Sequence, residues 1–273
     1  MLEDLQTLLW YLKRPKLYSA LIDLMLRTFF LAKKDDALSL KAADEWCRDQ
    51  CIEINQLYDE LDIKNPIKFS EIASNEHIKE INNKIKISDS NFGGGGELDV
   101  VFNICELVES KVAIETGVAY GWSSSAILHS ISKRDGNLIS IDMPMPKQTD
   151  YELIGCAVET KHMRNWTLLR EPDKYGLLKA IKISKNLDFV HYDSDKNYYG
   201  RKWAVPIIMK NLVPGGFFVC DDIQDNLHFK EYVEDNSYQY WVIKKNTDYV
   251  GIIKKIFRTD CSTEQNQSVK NIS

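Results

Sequence analysis

Residues 111–125, Lys-Val-Ala-Ile-Glu-Thr-Gly-Val-Ala-Tyr-Gly-Trp-Ser-Ser-Ser, constrain this chain more than any other stretch. An apolar run, Val112 to Ile114, ends in an acid, Glu115. A loop with Gly117 and Gly121 follows, and Ser123–Ser125 open an apolar segment of helical character. Strand, glycine turn and helix in that order place a small ligand beyond the carboxyl end of a parallel sheet. Glycine permits positive φ and close backbone approach, and the first helical turn offers unpaired N–H groups.

From this point on, strand and helix signals alternate. Strands are expected at 111–115, 137–142, 165–169, 187–193 and 216–221. Two further runs, Tyr238–Lys245 and Tyr249–Lys255, flank Asn246-Thr247-Asp248 and read as a β-hairpin. The pattern predicts an α/β fold: a Rossmann-like, mostly parallel sheet closed by a C-terminal antiparallel hairpin. Ahead of it lies an N-terminal helical extension. Leu5, Leu8, Leu9 and Leu12, then Leu21, Leu24, Met25 and Phe29, recur at helical spacing, and Pro15 separates the two helices. A third helix is expected over Ser39–Leu61. Residues 63–92 read as a polar linker with one short helix. Gly93–Gly96 is a flexible joint, or a bare backbone that folds over the ligand. The expected division is therefore 1–92, helical extension and linker; 93–259, ligand-binding domain; and 260–273, polar tail.

The net charge of −5 argues against a broad basic face for nucleic acid. Six cysteines without C-x-x-C spacing read as reduced thiols of a cytoplasmic protein. No secretory signal opens the chain. The most apolar early stretch, Leu17 to Ala32, is interrupted by Asp23 and Arg27 and falls short of the roughly 20 residues of a membrane span. The apolar N-terminal helices must bury their surface on the core or on a second copy of the chain, which allows a homodimer.

Four expected strands end in acids, Glu115, Asp142, Asp193 and Asp221, and parallel strands bring these to one edge. A dinucleotide would need a G-x-G-x-x-G turn, but Gly117 and Gly121 are spaced wrongly, and Glu115 would repel a phosphate. S-adenosylmethionine fits better. Glu115 could face its ammonium, N–H groups near Gly117 and Ser123 its carboxylate, and Asp142 its ribose hydroxyls.

Glu115-Thr-Gly-Val-Ala-Tyr-Gly-Trp-Ser-Ser, Ser140-Ile-Asp-Met-Pro, His191-Tyr-Asp-Ser-Asp and Pro214-Gly-Gly-x4-Asp221-Asp222-Ile resemble the ordered motifs of class I S-adenosylmethionine-dependent methyltransferases. The likeness is nearest to a bacterial small-molecule or O-methyltransferase branch and covers about residues 93–255. It implies a seven-stranded sheet whose last strand runs antiparallel. It also implies cofactor contacts at Glu115, Gly117, Gly121 and Asp142, with Thr116 and Ser123 completing the candidate set. The chain departs from the family where Gly-Asp-Ser usually follows the third strand. It has Arg170-Glu171-Pro172-Asp173 instead, which leaves the adenine contact open between Glu171 and Asp173.

Asp193 and the Asp221-Asp222 pair lie on neighbouring expected strands and could hold Mg²⁺ or Ca²⁺, as a similar set does in metal-dependent O-methyltransferases. The metal-free alternative makes Asp193 the general base and Asp222 a helix cap. His191 is the second candidate base. Lys196 and Tyr198 are candidate acceptor contacts, and Trp122 either stacks on the cofactor or packs in the core. The expected activity is methyl transfer to an oxygen of a small molecule or saccharide. The alternatives are a non-catalytic S-adenosylmethionine-binding partner subunit and, from another class, a dinucleotide-dependent oxidoreductase.

Overall fold

The five parallel strands form where the sequence places them, within a residue or so except that the last begins four residues early. A computed structural model describes residues 2–26, 36–88, 90–146, 150–236 and 238–256. Phe29 and the tail from 260 lie outside the described residues. In chain order the elements are α1 (Leu2–Leu12), α2 (Tyr18–Leu26), α3 (Ala37–Gln50), β1 (Cys51–Ile52), α4 (Ile54–Glu60), α5 (Phe69–Ile72) and α6 (Asn75–Ile87). Then come α7 (Leu98–Leu107), β2 (Val112–Thr116), α8 (Trp122–Ile131), β3 (Asn137–Ile141), β4 (Trp166–Leu169), α9 (Asp173–Ile183) and β5 (Leu187–Tyr192). The chain closes with α10 (Tyr198–Asn211), β6 (Leu212–Cys220), α11 (His228–Asn236), β7 (Gln239–Lys245) and β8 (Asp248–Lys254).

These strands make one sheet in the order β1-β7-β8-β6-β5-β2-β3-β4. β7 and β8 are antiparallel to each other, and β8 is antiparallel to β6. Apolar residues of α4, α7 and α8, such as Leu57, Phe102 and Ile127, cover one face. Those of α3, α9, α10 and α11, such as Cys47, Leu177, Ile208 and Phe229, cover the other. Both faces are buried, as a parallel sheet requires. Every strand except β8 therefore delivers its carboxyl end to the same edge.

Three expectations need correction. The sheet has eight strands rather than seven, because Cys51 and Ile52 pair in parallel with Val242 and Ile243. That short strand covers the edge that β7 would otherwise leave open. It also breaks the helix expected over Ser39–Leu61 into α3 and α4, so Cys47 and Cys51 do not share a helix face. Finally, the linker 63–92 contains α5 and the 13-residue α6, whose N-cap Ser74 accepts from the His77 amide at 3.3 Å. The described cysteines are all unpaired.

The N-terminal helices bury less than their composition suggests. Tyr11 and Leu17 are buried, but Leu8, Leu9, Leu12, Ile22, Met25 and Leu26 are 39–56% exposed. The two helices reach the carboxyl edge of the sheet, where Asp23 pairs with Lys174 of α9 at 2.6 Å. No described helix is long and apolar enough to cross a membrane.

Candidate active site

A polar row crosses the sheet beneath the first turns of α8. Strand register sets Glu115 opposite Ser140 on one side and His191 on the other. Glu115 is fully buried, and its Oε2 accepts from the hydroxyls of Ser124 and Ser140, the latter at 2.7 Å. Ser140 Oγ in turn accepts from Trp166 Nε1 at 2.8 Å. Glu115 Oε1 lies 3.6 Å from His191 Nδ1, and His191 Nε2 lies 3.4 Å from Asp221 Oδ1. Lys245 Nζ ends the row, 3.5 Å from Asp221 Oδ2.

Burial opposes a charge on His191, but Asp221 and then Glu115 overrule it and raise the imidazole to about 10. Burial likewise works to raise the Asp221 carboxyl, yet the His191 imidazolium and Lys245 hold it below the ordinary value. His191 is thus a buried cation shared by two carboxylates. It has no proton-free nitrogen near neutral pH and no exposure, so the expectation that it acts as a base is not met by this geometry. Glu115 also works from below the loop, and its carboxylate is not part of the cavity wall.

Above the row lies a cavity of about 950 Å³, at the upper end of the ~300–1,000 Å³ typical of small-ligand sites. Its floor is Gly117, Val118 and Ala119, and one wall is Asp142, Met143, Pro146 and Ile154. Asp193 and Lys196 stand at another side, and Tyr11, Ala20 and Asp23 reach it from α1 and α2. The loop has little freedom. Gly117 has φ +80°, and a Cβ there would stand 2.3 Å from the Asp193 carbonyl oxygen. Gly121, at φ +86°, backs against Gly155 in the same way.

Asp142 follows β3 and holds this loop. Its Oδ2 accepts from the amides of Val118 and Ala119 at 3.0 and 3.2 Å, and its Oδ1 from Arg170 at 2.5 Å. A carboxylate offers about four lone-pair sites, so a ribose hydroxyl would share Asp142 with Arg170. Arg170 opens the segment that departs from the family pattern. Within that segment Asp173 lines the cavity, whereas Glu171 pairs with Lys179 at 2.6 Å.

Lys196 is the residue that the sequence undervalued. Its ammonium lies between Asp193, at 3.1 Å, and Asp222. Burial works against that charge, yet the two carboxylates raise the ammonium above its ordinary range, so it stays protonated. Asp193 is shifted upward to about 6, by burial first and by Asp221 second, against the pull of Lys196 and His191. Asp193, Asp221 and Asp222 do not present three oxygens at mutual coordination distance. Two of them share a lysine, and the third is taken by His191 and Lys245. The expected Mg²⁺ or Ca²⁺ site is therefore not formed by these side chains.

Other candidates resolve into packing. Thr116 and Ser123 are buried under the loop, outside the cavity. Trp122 packs on the core cluster and under Gly95, whose added Cβ would meet Trp122 Cβ at 2.3 Å. Tyr198 turns toward α11, where it donates to Glu231 at 2.5 Å. The bare backbone of Gly95 and Gly96 lies over the head of α8 and the Asp221 carboxylate, and neither glycine lines the cavity. Just before it, Tyr120 donates to the Ser90 carbonyl at 2.8 Å and accepts from the Phe92 amide at 3.3 Å.

Residues 114–223 match the family described as a methyltransferase domain. No curated protein matches the sequence. Among solved structures, a methyltransferase from Podospora anserina with S-adenosylhomocysteine bound aligns at TM-score 0.52 and 12% identity. That alignment covers 74% of this chain and 95% of that one. A Klebsiella pneumoniae protein provisionally assigned as an O-methyltransferase aligns at 0.51 and 14%, over 78% and 100%. A methyltransferase from Geobacter sulfurreducens aligns at 0.53 and 10%, over 76% and 98%. At such identities the likeness is one of fold.

Proposed function

We propose that this chain, which carries a class I S-adenosylmethionine-dependent methyltransferase domain, methylates an oxygen of a small molecule or saccharide. The observation that supports an oxygen acceptor is Asp193. It lines the cavity, its carboxyl is raised to about 6, and it has a fixed ammonium beside it. A carboxylate poised just below neutral pH is suited to take a hydroxyl proton. The donor suits the cavity. The floor at Gly117 would hold its methionine end, Asp142 its ribose, and Met143, Pro146 and Ile154 its adenine. When bound, the cofactor supplies an electrophilic methyl group on a cationic sulfur.

The chain's own residues do the rest. The row Glu115–His191–Asp221–Lys245 balances its charges, and the mouth group Asp193–Lys196–Asp222 keeps one negative charge in excess. That excess complements a sulfonium in a site partly screened from water. Lys196 holds Asp193 in place while Asp193 accepts the acceptor's proton. Tyr11, Ala20 and Asp23 narrow the opening, so the N-terminal helices help to position the acceptor, which is the main lever on rate for an in-line displacement. The exposed apolar faces of α1 and α2 support the expected homodimer. A chain lacking residues 1–33 should lose turnover on every acceptor; a monomeric, fully active truncation would remove both roles from these helices.

The test of the proposal is methyl transfer from labelled S-adenosylmethionine to a panel of hydroxylated small molecules and saccharides. Label should appear as a base-stable ether in at least one product. The rate should be the same in excess chelator, because Lys196 fills the place between Asp193 and Asp222. Transfer that stops in chelator and returns with Mg²⁺ would overturn the metal-free reading. Tight cofactor binding with no product across the panel would favour the non-catalytic partner subunit.

A further inference from the structure

His129, Glu159 and His162 meet far from the carboxylate row, at the opposite end of α8. His129 lies in the last turn of that helix, Glu159 caps the start of the 160–165 turn, and His162 lies within that turn. One donor atom from each residue lies within 4.8 Å of the other two. His129 Nε2 is 2.9 Å from Glu159 Oε1, and the two imidazoles meet edge to face with centroids 4.5 Å apart. From this cluster we propose a binding site for one divalent transition-metal ion, zinc by ligand type, with two imidazole nitrogens and one carboxylate oxygen as ligands.

An ordinary His–Glu hydrogen bond accounts for His129 and Glu159 but leaves His162 unexplained. His162 is 7% exposed, and its Nε2 is buried with no hydrogen-bond partner. Its Nδ1 lies 3.0 Å from Ser132 Oγ. With the Nδ1–H donated to that hydroxyl, Nε2 carries a bare, buried lone pair. A ring held through one nitrogen with the other left open is the arrangement metal-ligating histidines adopt. Buried polar atoms are otherwise nearly always paired, so the orphan nitrogen points to a missing partner.

Two imidazoles and a carboxylate form a donor set suited to Zn²⁺. Zinc holds such ligands at ~2.0–2.2 Å, so small side-chain shifts would be needed to seat it. The other Glu159 oxygen pairs with Lys161 at 2.9 Å. Three protein ligands leave a fourth position for water.

Such an ion would tie the end of α8 to the segment that backs the cavity loop. That segment is already stitched to the loop by Gly155 N to Ala119 O at 2.9 Å and Ala157 N to Tyr120 O at 2.8 Å. The test uses the full chain, stripped with chelator and then titrated with Zn²⁺ against a chromophoric competitor. Co²⁺ serves as the spectroscopic probe. One ion per chain is expected, with intense visible cobalt bands of a four-coordinate site and a raised melting temperature. His162→Gln should weaken binding by roughly tenfold to a hundredfold or more and abolish the thermal shift. Glu159→Gln should weaken it in the same direction. No uptake by the stripped wild-type chain in excess Zn²⁺ would overturn the site, and so would equal uptake by the wild type and His162→Gln.

Discussion

Replacing Asp193 by asparagine should lower kcat by roughly 10²–10⁴-fold while leaving the affinity for S-adenosylhomocysteine within a few-fold. The amide keeps the shape and the approach to Lys196 but cannot accept a proton. In the wild type, kcat should fall as pH drops through about 6, because the base works only when ionised and its carboxyl is raised to that value. Asp221, His191 and Lys196 are the charged groups that face it. None of these should itself titrate near 6: His191 is raised to about 10, Asp221 is lowered, and Lys196 is raised. The acid limb should therefore disappear in the asparagine variant. Stability should move the other way. A carboxyl raised on folding costs the native state stability, a cost fully present above about pH 6 and absent below its unfolded value near 4. At pH 7 the asparagine variant should melt no lower than the wild type. A variant that keeps wild-type kcat would take the base role from Asp193. One that loses activity only by unfolding would make the residue structural.

Gly117→Ala should abolish cofactor binding. At φ +80° an L-residue is strained by about 1–3 kcal/mol, and the new methyl would stand 2.3 Å from the Asp193 carbonyl oxygen and 2.7 Å from its carbon. Those neighbours are backbone and cannot swing aside, so the loop must move away from β5. Asp142 holds the same loop through Val118 and Ala119, and its carboxylate would be displaced with it. The variant should remain folded, because the strain is a fraction of a domain's stability. A folded Gly117→Ala that still binds cofactor tightly would show that the floor of the cavity is elsewhere.

The sequence made the parallel sheet legible through particular stretches. The acids at the ends of four apolar runs marked the ligand edge, and the short turn at 246–248 marked the antiparallel hairpin. The glycine turn at 117–121 was visible because two left-handed positions there demand glycine. What the residues do once folded was harder to see. Glu115 looked like a ligand contact because it ends a strand beside a glycine loop, yet register turns it onto Ser140, Ser124 and His191. Nothing local encodes that, since the partners lie 9 to 76 residues away. Asp142 was legible as a cavity residue but not as the anchor of the loop amides. Lys196 read as a loop lysine because its two carboxylates arrive from β5 and from beyond β6. The two-residue β1 is too short to have a period, and only the open edge of β7 gives it a reason to form. The place of α1 and α2 over the cavity left no local mark either, since an apolar helix face does not say what it covers.

Calorimetric titration of the wild-type chain and Gly117→Ala with S-adenosylhomocysteine, with NAD and NADP run in parallel, tests the central claim most directly. The account predicts one cofactor product bound per wild-type chain, no heat from either dinucleotide, and no binding to the alanine variant. Tight NAD or NADP binding to the wild type, with S-adenosylhomocysteine failing to compete, would contradict it.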